Sequence, residues 1–316
     1  MKRPIDTTAI AVMVLLCLIW GLQQSAMKMV AASVDPMLQI GLRSVLAAVI
    51  VLGLSRIILR DRWHGGLFLG PGLLAGSLFA LEFLLVAEGL RWTTASHMAV
   101  FLYTAPIFAA IGLHVAQPDE RMVPVQWLGV AIAFLGVVAI FVLPELRGRG
   151  AGLTPGMILG DLLGLGAGLS WGLTTVVIRT TRVSVAPPAQ TLFYQLSVAG
   201  AAALGFCALT GRLSLVPTPA VLASLSFQTV IVCSLSFLAW FRLMQVYRSS
   251  RLGVLSFMTP VFGVASGVVL LGDALTSEFL LGGVLVLAGM IIVQAQEWIA
   301  ARRAARTPPA RLCERA

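Results

Sequence analysis

The hydrophobic residues of this chain fall into ten long apolar stretches separated by short polar connections. A helix needs about 20 apolar residues to cross a bilayer core about 30 Å thick. The stretches lack the alternation of a membrane β-barrel, so they predict helices. The predicted spans cover residues 9–27, 37–59, 66–90, 96–115, 125–143, 157–178, 191–210, 220–246, 253–271 and 278–295. The pattern therefore predicts an all-α integral membrane protein with ten transmembrane helices.

The ten spans divide into two related sets of five. The segment Ile19-Trp20-Gly21-Leu22 returns as Ser170-Trp171-Gly172-Leu173. Later in each set, Tyr103-Thr104-Ala105-Pro106 aligns with Phe257-Met258-Thr259-Pro260. Because five is an odd number, the second set must start on the opposite side of the membrane from the first. We therefore predict two inverted five-helix repeats, an arrangement found in many secondary transporters.

The connections set the predicted organisation of the chain. We expect a cytoplasmic N-terminus at residues 1–8, a first repeat at 9–143, a periplasmic linker at 144–156, a second repeat at 157–295 and a basic cytoplasmic tail at 296–316. The tail is predicted to be disordered from Arg302 onwards, where Pro308 and Pro309 follow.

The net charge of +9 first suggests a partner such as nucleic acid, but the placement of the charges indicates membrane topology instead. With the N-terminus inside, fifteen of the 22 Lys and Arg residues lie in inner loops and tails. Five lie in outer loops, namely Lys28, Arg91, Arg147, Arg149 and Arg212. This bias follows the positive-inside rule and predicts a multi-pass inner-membrane protein with both termini in the cytoplasm. The basic tail is expected to contact anionic lipid.

Catalytic and cofactor motifs are not visible in the sequence. The four cysteines, Cys17, Cys207, Cys233 and Cys313, show no paired spacing, so neither a disulfide framework nor a metal site is expected. No Ser/His/Asp arrangement or phosphate-binding loop is evident. We expect no enzyme activity, no cofactor and no direct drive by ATP. The sequence carries no signal for an oligomeric state.

Glu82 lies within the apolar stretch Phe79–Leu85 and is the most costly side chain to place in lipid. Arg43 is its candidate partner, because the two residues lie about 9 and 12 Å from the same ends of adjacent antiparallel spans at 1.5 Å per residue. Two hypotheses follow. The two side chains form a structural ion pair, or Glu82 exchanges a proton or pairs with a cationic group of a substrate.

Aromatic and polar side chains near the middle of several spans predict a binding pocket. Apolar walls with a few fixed polar groups suit a small amphiphilic metabolite. The predicted lining residues are Trp20, Gln24, Glu82, Tyr103, Trp171, Thr175 and Tyr194. Trp and Tyr also form interface belts and plain packing, and Tyr194, near an inner span end, fits a belt well.

Prolines and glycines indicate where the helices bend and pack. Pro106 and Pro260 lie inside spans at matching repeat positions, where each weakens a backbone hydrogen bond. Paired interruptions of this kind point to helix hinges beside a transporter's binding region, although packing kinks are an alternative. A stripe of small residues on the sixth span predicts close helix packing, and its members are Gly160, Gly164, Gly168 and Gly172.

These features together resemble the EamA-type transporters of the drug/metabolite transporter superfamily. The resemblance rests on the two five-helix halves, Trp-Gly in spans one and six, the prolines of spans four and nine, and Leu271-Gly272-Asp273-Ala274-Leu275-Thr276 before the last span. Family members usually carry glutamate at the position of Asp273. The resemblance implies an inner-membrane carrier, commonly an exporter of amino acids or related metabolites, that works by alternating access.

Three hypotheses of function remain at this point. The first is a secondary transporter that exports small metabolites such as amino acids. The second is an importer or a nucleotide-sugar-type exchanger of the same fold, although an exchanger needs basic groups for phosphate and only Arg43 lies deep in a span. The third is a non-transporting intramembrane enzyme or lipid-handling protein, against which the scarcity of acids and histidines counts.

Overall fold

A computed structural model describes residues 6–118, 121–146, 154–247, 255–256 and 258–306. Ten helices, one for each predicted span, make up the membrane part of this described chain. They are α1 (Thr7–Met29), α2 (Pro36–Leu59), α3 (Leu73–Gly89), α4 (Ala95–Ala116), α5 (Pro124–Leu146), α6 (Pro155–Thr180), α7 (Pro188–Thr210), α8 (Pro219–Val246), α9 (Met258–Leu271) and α10 (Ser277–Arg306). A short 3-10 helix, Arg182–Val185, lies between α6 and α7.

Helix starts follow local sequence signals. Five helices, α2, α5, α6, α7 and α8, begin at a proline, whose missing N–H costs nothing in the first turn. Side-chain caps complete several of these starts. Asp35 accepts a hydrogen bond from the Met37 amide at 2.8 Å, and Thr154 accepts one from the Met157 amide at 3.2 Å. The first turns are thus fixed by residues next to each helix in the sequence.

Seven of the ten helices are long and apolar enough to cross a bilayer. The three remaining apolar segments among the described residues are shorter, at Pro124–Ile140, Met258–Leu271 and Ser277–Val293. The chain is therefore a multi-pass, all-α membrane protein built as two inverted five-helix halves.

Two helix ends differ from the prediction. The third span was expected to be helical from residue 66, but α3 begins at Leu73, because Leu69 and Gly70 have non-helical dihedral angles and Gly70 has φ of +123°. Glycine tolerates that region, and the proline that follows it cannot continue a helix ladder. The tail was expected to be disordered from Arg302, yet α10 continues to Arg306, because Ala and Arg favour helix. Residues 307–316 and most of the linker, 147–153, lie outside the described residues.

Helix packing repeats between the halves. Helix α1 packs against α9 in the way that α6 packs against α4, while α2 packs against α7 and α5 against α10. A Cβ added to Gly21 of α1 would lie 2.7 Å from Phe262 Cβ, and one added to Gly172 of α6 would lie 2.7 Å from Phe108 Cβ. Each of these phenylalanines follows its mid-helix proline by two residues. The same backbone approach is thus built twice, and every helix pair named here joins the two halves.

Candidate substrate site between the two halves

The fourth span is broken in its middle. Tyr103 and Thr104 form a turn between two helical segments, Ala95–Leu102 and Ala105–Ala116. Pro106 occupies the first turn of the second segment, where it supplies no N–H to the preceding ladder. The Thr104 hydroxyl donates to the Phe101 carbonyl at 2.7 Å and so satisfies one of the acceptors at the break. Pro106 therefore lies at an interruption of the helix.

The matching proline of the second half is Pro260, which is buried in α9. Leu255 and Ser256 before it are also helical, and Phe257 between them and α9 lies outside the described residues. Thr259 is fully buried. Its hydroxyl lies close to the side chains of Tyr103 and Cys17. The two proline regions thus approach each other across the halves.

Tyr103 at the α4 break is linked to Trp171, Thr259 and Glu82, and Glu82 in turn is linked to Arg43. These five side chains are called here the central cluster: Arg43, Glu82, Tyr103, Trp171 and Thr259. The Tyr103 ring meets the Trp171 ring edge to face, with centroids 5.2 Å apart. Tyr103 lies near enough to Glu82 for the two groups to interact electrostatically. The cluster draws on α2, α3 and α4 from the first half and on α6 and α9 from the second. Among the described residues it is one of the places where both halves bring polar groups into the protein interior.

Arg43 is the largest of the fully buried side chains, with 1% of its surface exposed. Its guanidinium carbon lies 4.5 Å from the centroid of the Phe83 ring, a cation–π contact. Its Nη1 donates to Gln228 Oε1 at 3.5 Å, and Gln228 in turn donates to Gln39 Oε1 at 2.9 Å. Arg43 Nε has no hydrogen-bond partner. The side chain is therefore fixed in place while keeping a free donor.

Glu82 is 4% exposed, and its Oε2 atom has no hydrogen-bond partner. The charge of Arg43 acts on this carboxylate. Even so, no nitrogen of Arg43 comes within 4.0 Å of a Glu82 oxygen, the distance at which ion pairs occur elsewhere in the described chain. The two residues thus lie in one region without forming a direct ion pair.

Trp20 contacts α8. Its indole N–H donates to Ser236 Oγ at 2.8 Å, and its ring packs against Phe237 and Trp240 at 6.0 and 5.6 Å. This polar tip is already engaged, so Trp20 contributes mainly a half-buried apolar wall.

For three further predicted lining residues, the side-chain contacts that the structure describes do not involve the side chains of the central cluster. Thr175 is half-buried, and its hydroxyl donates to the carbonyl of Trp171 at 3.2 Å within α6. Tyr194 accepts a hydrogen bond from Gln190 at 2.5 Å and packs against Trp63, so it braces the connection between α2 and α3. Gln24 is buried with an unpartnered Oε1, which makes it a further free acceptor in α1.

The glycine stripe of α6 packs along α4 and the segment before it. Its members Gly160, Gly164, Gly168 and Gly172 face Thr93, Phe101 with Met98, Thr104 and Phe108 in turn. A Cβ on Gly168 would lie 2.6 Å from Thr104 Oγ1 and 2.9 Å from the Phe101 carbonyl, at the break itself. Absence of side chains lets the two backbones approach closely, so the stripe positions the broken helix against α6.

A second buried polar group lies near the start of α4 and was not among the predicted site residues. Asp161 of α6 is fully buried and accepts hydrogen bonds from the Thr93 hydroxyl and from His97 Nδ1, the latter at 2.8 Å. Lys28 donates to the carbonyls of Leu90 and Thr93. Its charge interacts with Asp273, which accepts from the Ser96 amide and hydroxyl at 2.9 and 2.8 Å. These contacts join α1, α4, α6 and the connection before α10 at one end of the bundle.

Sequence reasoning missed Gln39, Gln228 and Thr259. All three are buried polar residues within apolar spans, so an inventory of every amide and hydroxyl in the spans would have included them. Gln228 also lies in a π-helical segment of α8, Phe227–Ser236, and π-helical turns are frequent at functional sites. Hydropathy does not reveal that irregularity.

The model of the EamA-like transporter family matches residues 7–142 and again residues 158–294. The chain belongs to the EamA-like transporter family. It is 26% identical over 296 residues to a "Probable amino-acid metabolite efflux pump" of Salmonella typhimurium, covering 88% of this chain and 92% of that protein. The relative of the same name in Escherichia coli is 26% identical over 288 residues, with 88% and 92% covered.

Two further proteins are similar to this chain, and their names give no substrate. An "Uncharacterized transporter YvbV" of Bacillus subtilis is 24% identical over 302 residues, and the alignment covers 94% of this chain and 94% of that protein. A crystal structure of a protein at 20% identity superposes with a TM-score of 0.62 over 95% of this chain and 99% of that one. The chain is thus a membrane transporter by family.

Proposed function

We propose that this EamA-family protein is a secondary transporter that exports small metabolites, amino acids among them, across the inner membrane by alternating access. The observation that carries the proposal is the central cluster, where buried polar atoms of Arg43 and Glu82 lack partners at the meeting of the two halves. Interiors rarely leave such atoms unpaired, because each costs about 1–3 kcal/mol. A solute with donors and acceptors would supply the missing partners. The names of the relatives from Salmonella typhimurium and Escherichia coli support export of amino-acid metabolites.

The hinges are assigned to the two proline regions. We propose that bending at Pro106 and Pro260 opens the central cluster to one side of the membrane at a time. The glycine stripe on α6 would serve as the surface along which α4 moves, since small side chains present few barriers to sliding. Symmetric contacts in the two halves suit a motion in which the halves exchange conformations.

Nucleotide-sugar exchange is the less favoured activity of this fold. Among the five described residues of the central cluster, Arg43 is the one cation. Gln228 and Phe83 already hold its guanidinium group. A diphosphate is normally bound by several basic groups. A small solute with at most one acidic group suits this cluster better.

Transport in proteoliposomes tests the proposal directly. Purified protein is reconstituted, vesicles are loaded with unlabelled L-amino acids, and entry of labelled L-amino acid by counterflow is measured. Protein-dependent counterflow supports the carrier. Conversion of a solute without flux would indicate an intramembrane enzyme, and neither flux nor conversion across a wide metabolite panel would reject the proposed function. Comparing extracellular metabolites of cells lacking and overproducing the protein then gives the direction.

We further propose that both termini lie in the cytoplasm. Cys17, Cys207 and Cys233 are buried, so Cys313 in the tail is the native cysteine expected to react with a membrane-impermeant maleimide. Intact cells should leave Cys313 unlabelled, whereas inverted vesicles should label it. Ser214→Cys, at an exposed position between α7 and α8, should show the reverse. The opposite pattern at both positions would invert the topology.

A further inference from the structure

Arg43 and Glu82 are a buried basic and a buried acidic side chain that do not form an ion pair with each other. They are 1% and 4% exposed, and each keeps an atom without a hydrogen-bond partner, Nε on Arg43 and Oε2 on Glu82. A buried charge is costly unless it is paired and hydrogen-bonded. An ion pair that served stability alone would be expected to close, because closing it would satisfy both free atoms. The arrangement instead leaves a free donor on Arg43 and a free acceptor on Glu82 in the same part of the interior.

We propose that this pair is a zwitterion site: the carboxylate of an α-amino acid binds Arg43, and its ammonium group binds Glu82. This inference rests on the proposed transport function and names the substrate class of the same site. An α-amino acid carries both charges on adjacent carbons, so one ligand can pair with two side chains that do not pair with each other. It would complete the ion pair that the protein leaves open.

The donors and acceptors match this ligand. Gln228 and Phe83 hold the guanidinium of Arg43, and its free Nε can donate to a carboxylate. Held in this way, Arg43 loses little further side-chain entropy when a ligand arrives. An ionised carboxylate only accepts hydrogen bonds, and an ammonium group has three donors and no acceptor, so the two groups are complementary. Glu82 therefore suits the amine end and Arg43 the acid end.

The surroundings suit the rest of an amino acid. The Tyr103 ring, which interacts with Glu82, packs edge to face with the Trp171 ring, and Phe83 lies under Arg43. Such walls accept apolar side chains of several shapes, while the two charges fix the common backbone part. The site should therefore discriminate strongly on the two charged groups and weakly on the side chain.

The first test varies the ligand and leaves the protein unchanged. A panel of the twenty L-amino acids identifies the fastest substrate of the wild-type protein by counterflow. Its decarboxylated amine and its deaminated acid are then used as competitors. Because each lacks one charge-assisted contact, each should compete with an inhibition constant about tenfold or more weaker than the amino acid itself. Equal competition by either analogue would overturn the proposal.

The second test varies the two side chains. Glu82→Gln and Arg43→Gln should each raise the KM for the amino acid about tenfold or more. Glu82→Gln should remain sensitive to the deaminated acid, and Arg43→Gln to the decarboxylated amine, since each keeps one charge. Glu88→Gln and Arg91→Gln, which change charges at the bundle surface, are the matched controls and should keep the wild-type KM. If neither analogue competed with the amino acid in either variant, the two side chains would form a structural pair and the assignment would be wrong.

The outcomes separate this inference from the proposed function. If uncharged or singly charged metabolites move and amino acids do not, the protein is a transporter and the zwitterion site is wrong. If no solute moves, the transport function itself is wrong. Size-exclusion profiles of the variants in detergent identify any that fail to fold, and in that case the analogue competition with wild-type protein decides alone.

Discussion

His97 Nδ1 lies 2.8 Å from Asp161 Oδ2, and this hydrogen bond joins α4 of the first half to α6 of the second. Both side chains are buried, and the His97 ring stacks on Phe279 of α10 with centroids 4.2 Å apart. Thr93 donates to the other oxygen of Asp161. On the proposed topology this group lies on the periplasmic side of the central cluster, where it holds three helices together.

Asp161→Ala should destabilise the protein strongly. The substitution leaves His97 and the Thr93 hydroxyl buried without their acceptor, which should lower the free energy of unfolding by about 2–4 kcal/mol. Thermal unfolding in detergent measures the change. Glu88→Ala is the control, because Glu88 is 30% exposed in its pairs with Arg91 and Arg212 and should contribute at most about 1 kcal/mol. Equal melting temperatures for the two variants would show that the buried group has no special structural role.

Gly168→Val should disturb the packing of α6 against the break in α4. Its Cβ would lie 2.6 Å from Thr104 Oγ1 and 2.9 Å from a backbone carbonyl, so α4 must shift. The expected loss is about 1–3 kcal/mol in unfolding free energy, together with reduced transport. Gly205→Val is matched to it, since nothing lies within 4 Å of that Cβ in α7. If Gly168→Val were as stable and as active as Gly205→Val, the close approach of α6 to α4 would be contradicted.

Pro106→Ala should slow transport more than it weakens binding. Restoring an N–H at the break allows α4 to straighten, which removes a bend that the proposed motion uses. We expect counterflow to fall several-fold in maximal rate with little change in KM, and Pro260→Ala to behave alike. Pro124→Ala, at the exposed first position of α5, should have no effect on rate. If the three variants were equally active, the prolines would be packing features only.

Glu82 is also the candidate for proton coupling, with Arg43 and Tyr103 as the ionisable groups that face it. A coupled carrier should be accelerated by an imposed pH gradient, and Glu82→Gln should lose this acceleration because the amide cannot take up a proton. Fluxes are compared with and without the gradient in vesicles of wild type, Glu82→Gln and Glu88→Gln. An unchanged pH dependence in Glu82→Gln would exclude Glu82 as the proton carrier while leaving its binding role open to the competition experiment.

Part of the candidate site could be predicted from the sequence, and part could not. Glu82 and Arg43 stood out because a charge in an apolar span is costly wherever the helix packs. Pro106 marked the break in α4 because proline acts on its own backbone. Tyr194 shows the limit of prediction from the sequence. Its position near a span end suggested either a substrate site or a membrane-interface belt, whereas its contacts to Gln190 and Trp63 place it against the connection between α2 and α3.

By itself the sequence determined the number of spans, their helical form and the twofold repeat, because these depend on apolar length and local backbone chemistry within each segment. Only the tertiary structure decided that Arg43 meets Gln228 and Phe83 rather than the carboxylate of Glu82. The rotation of each helix about its axis depends on contacts with several neighbours at once, such as the close approach that Gly168 permits. Which buried polar groups face one another is therefore a property of the packed bundle.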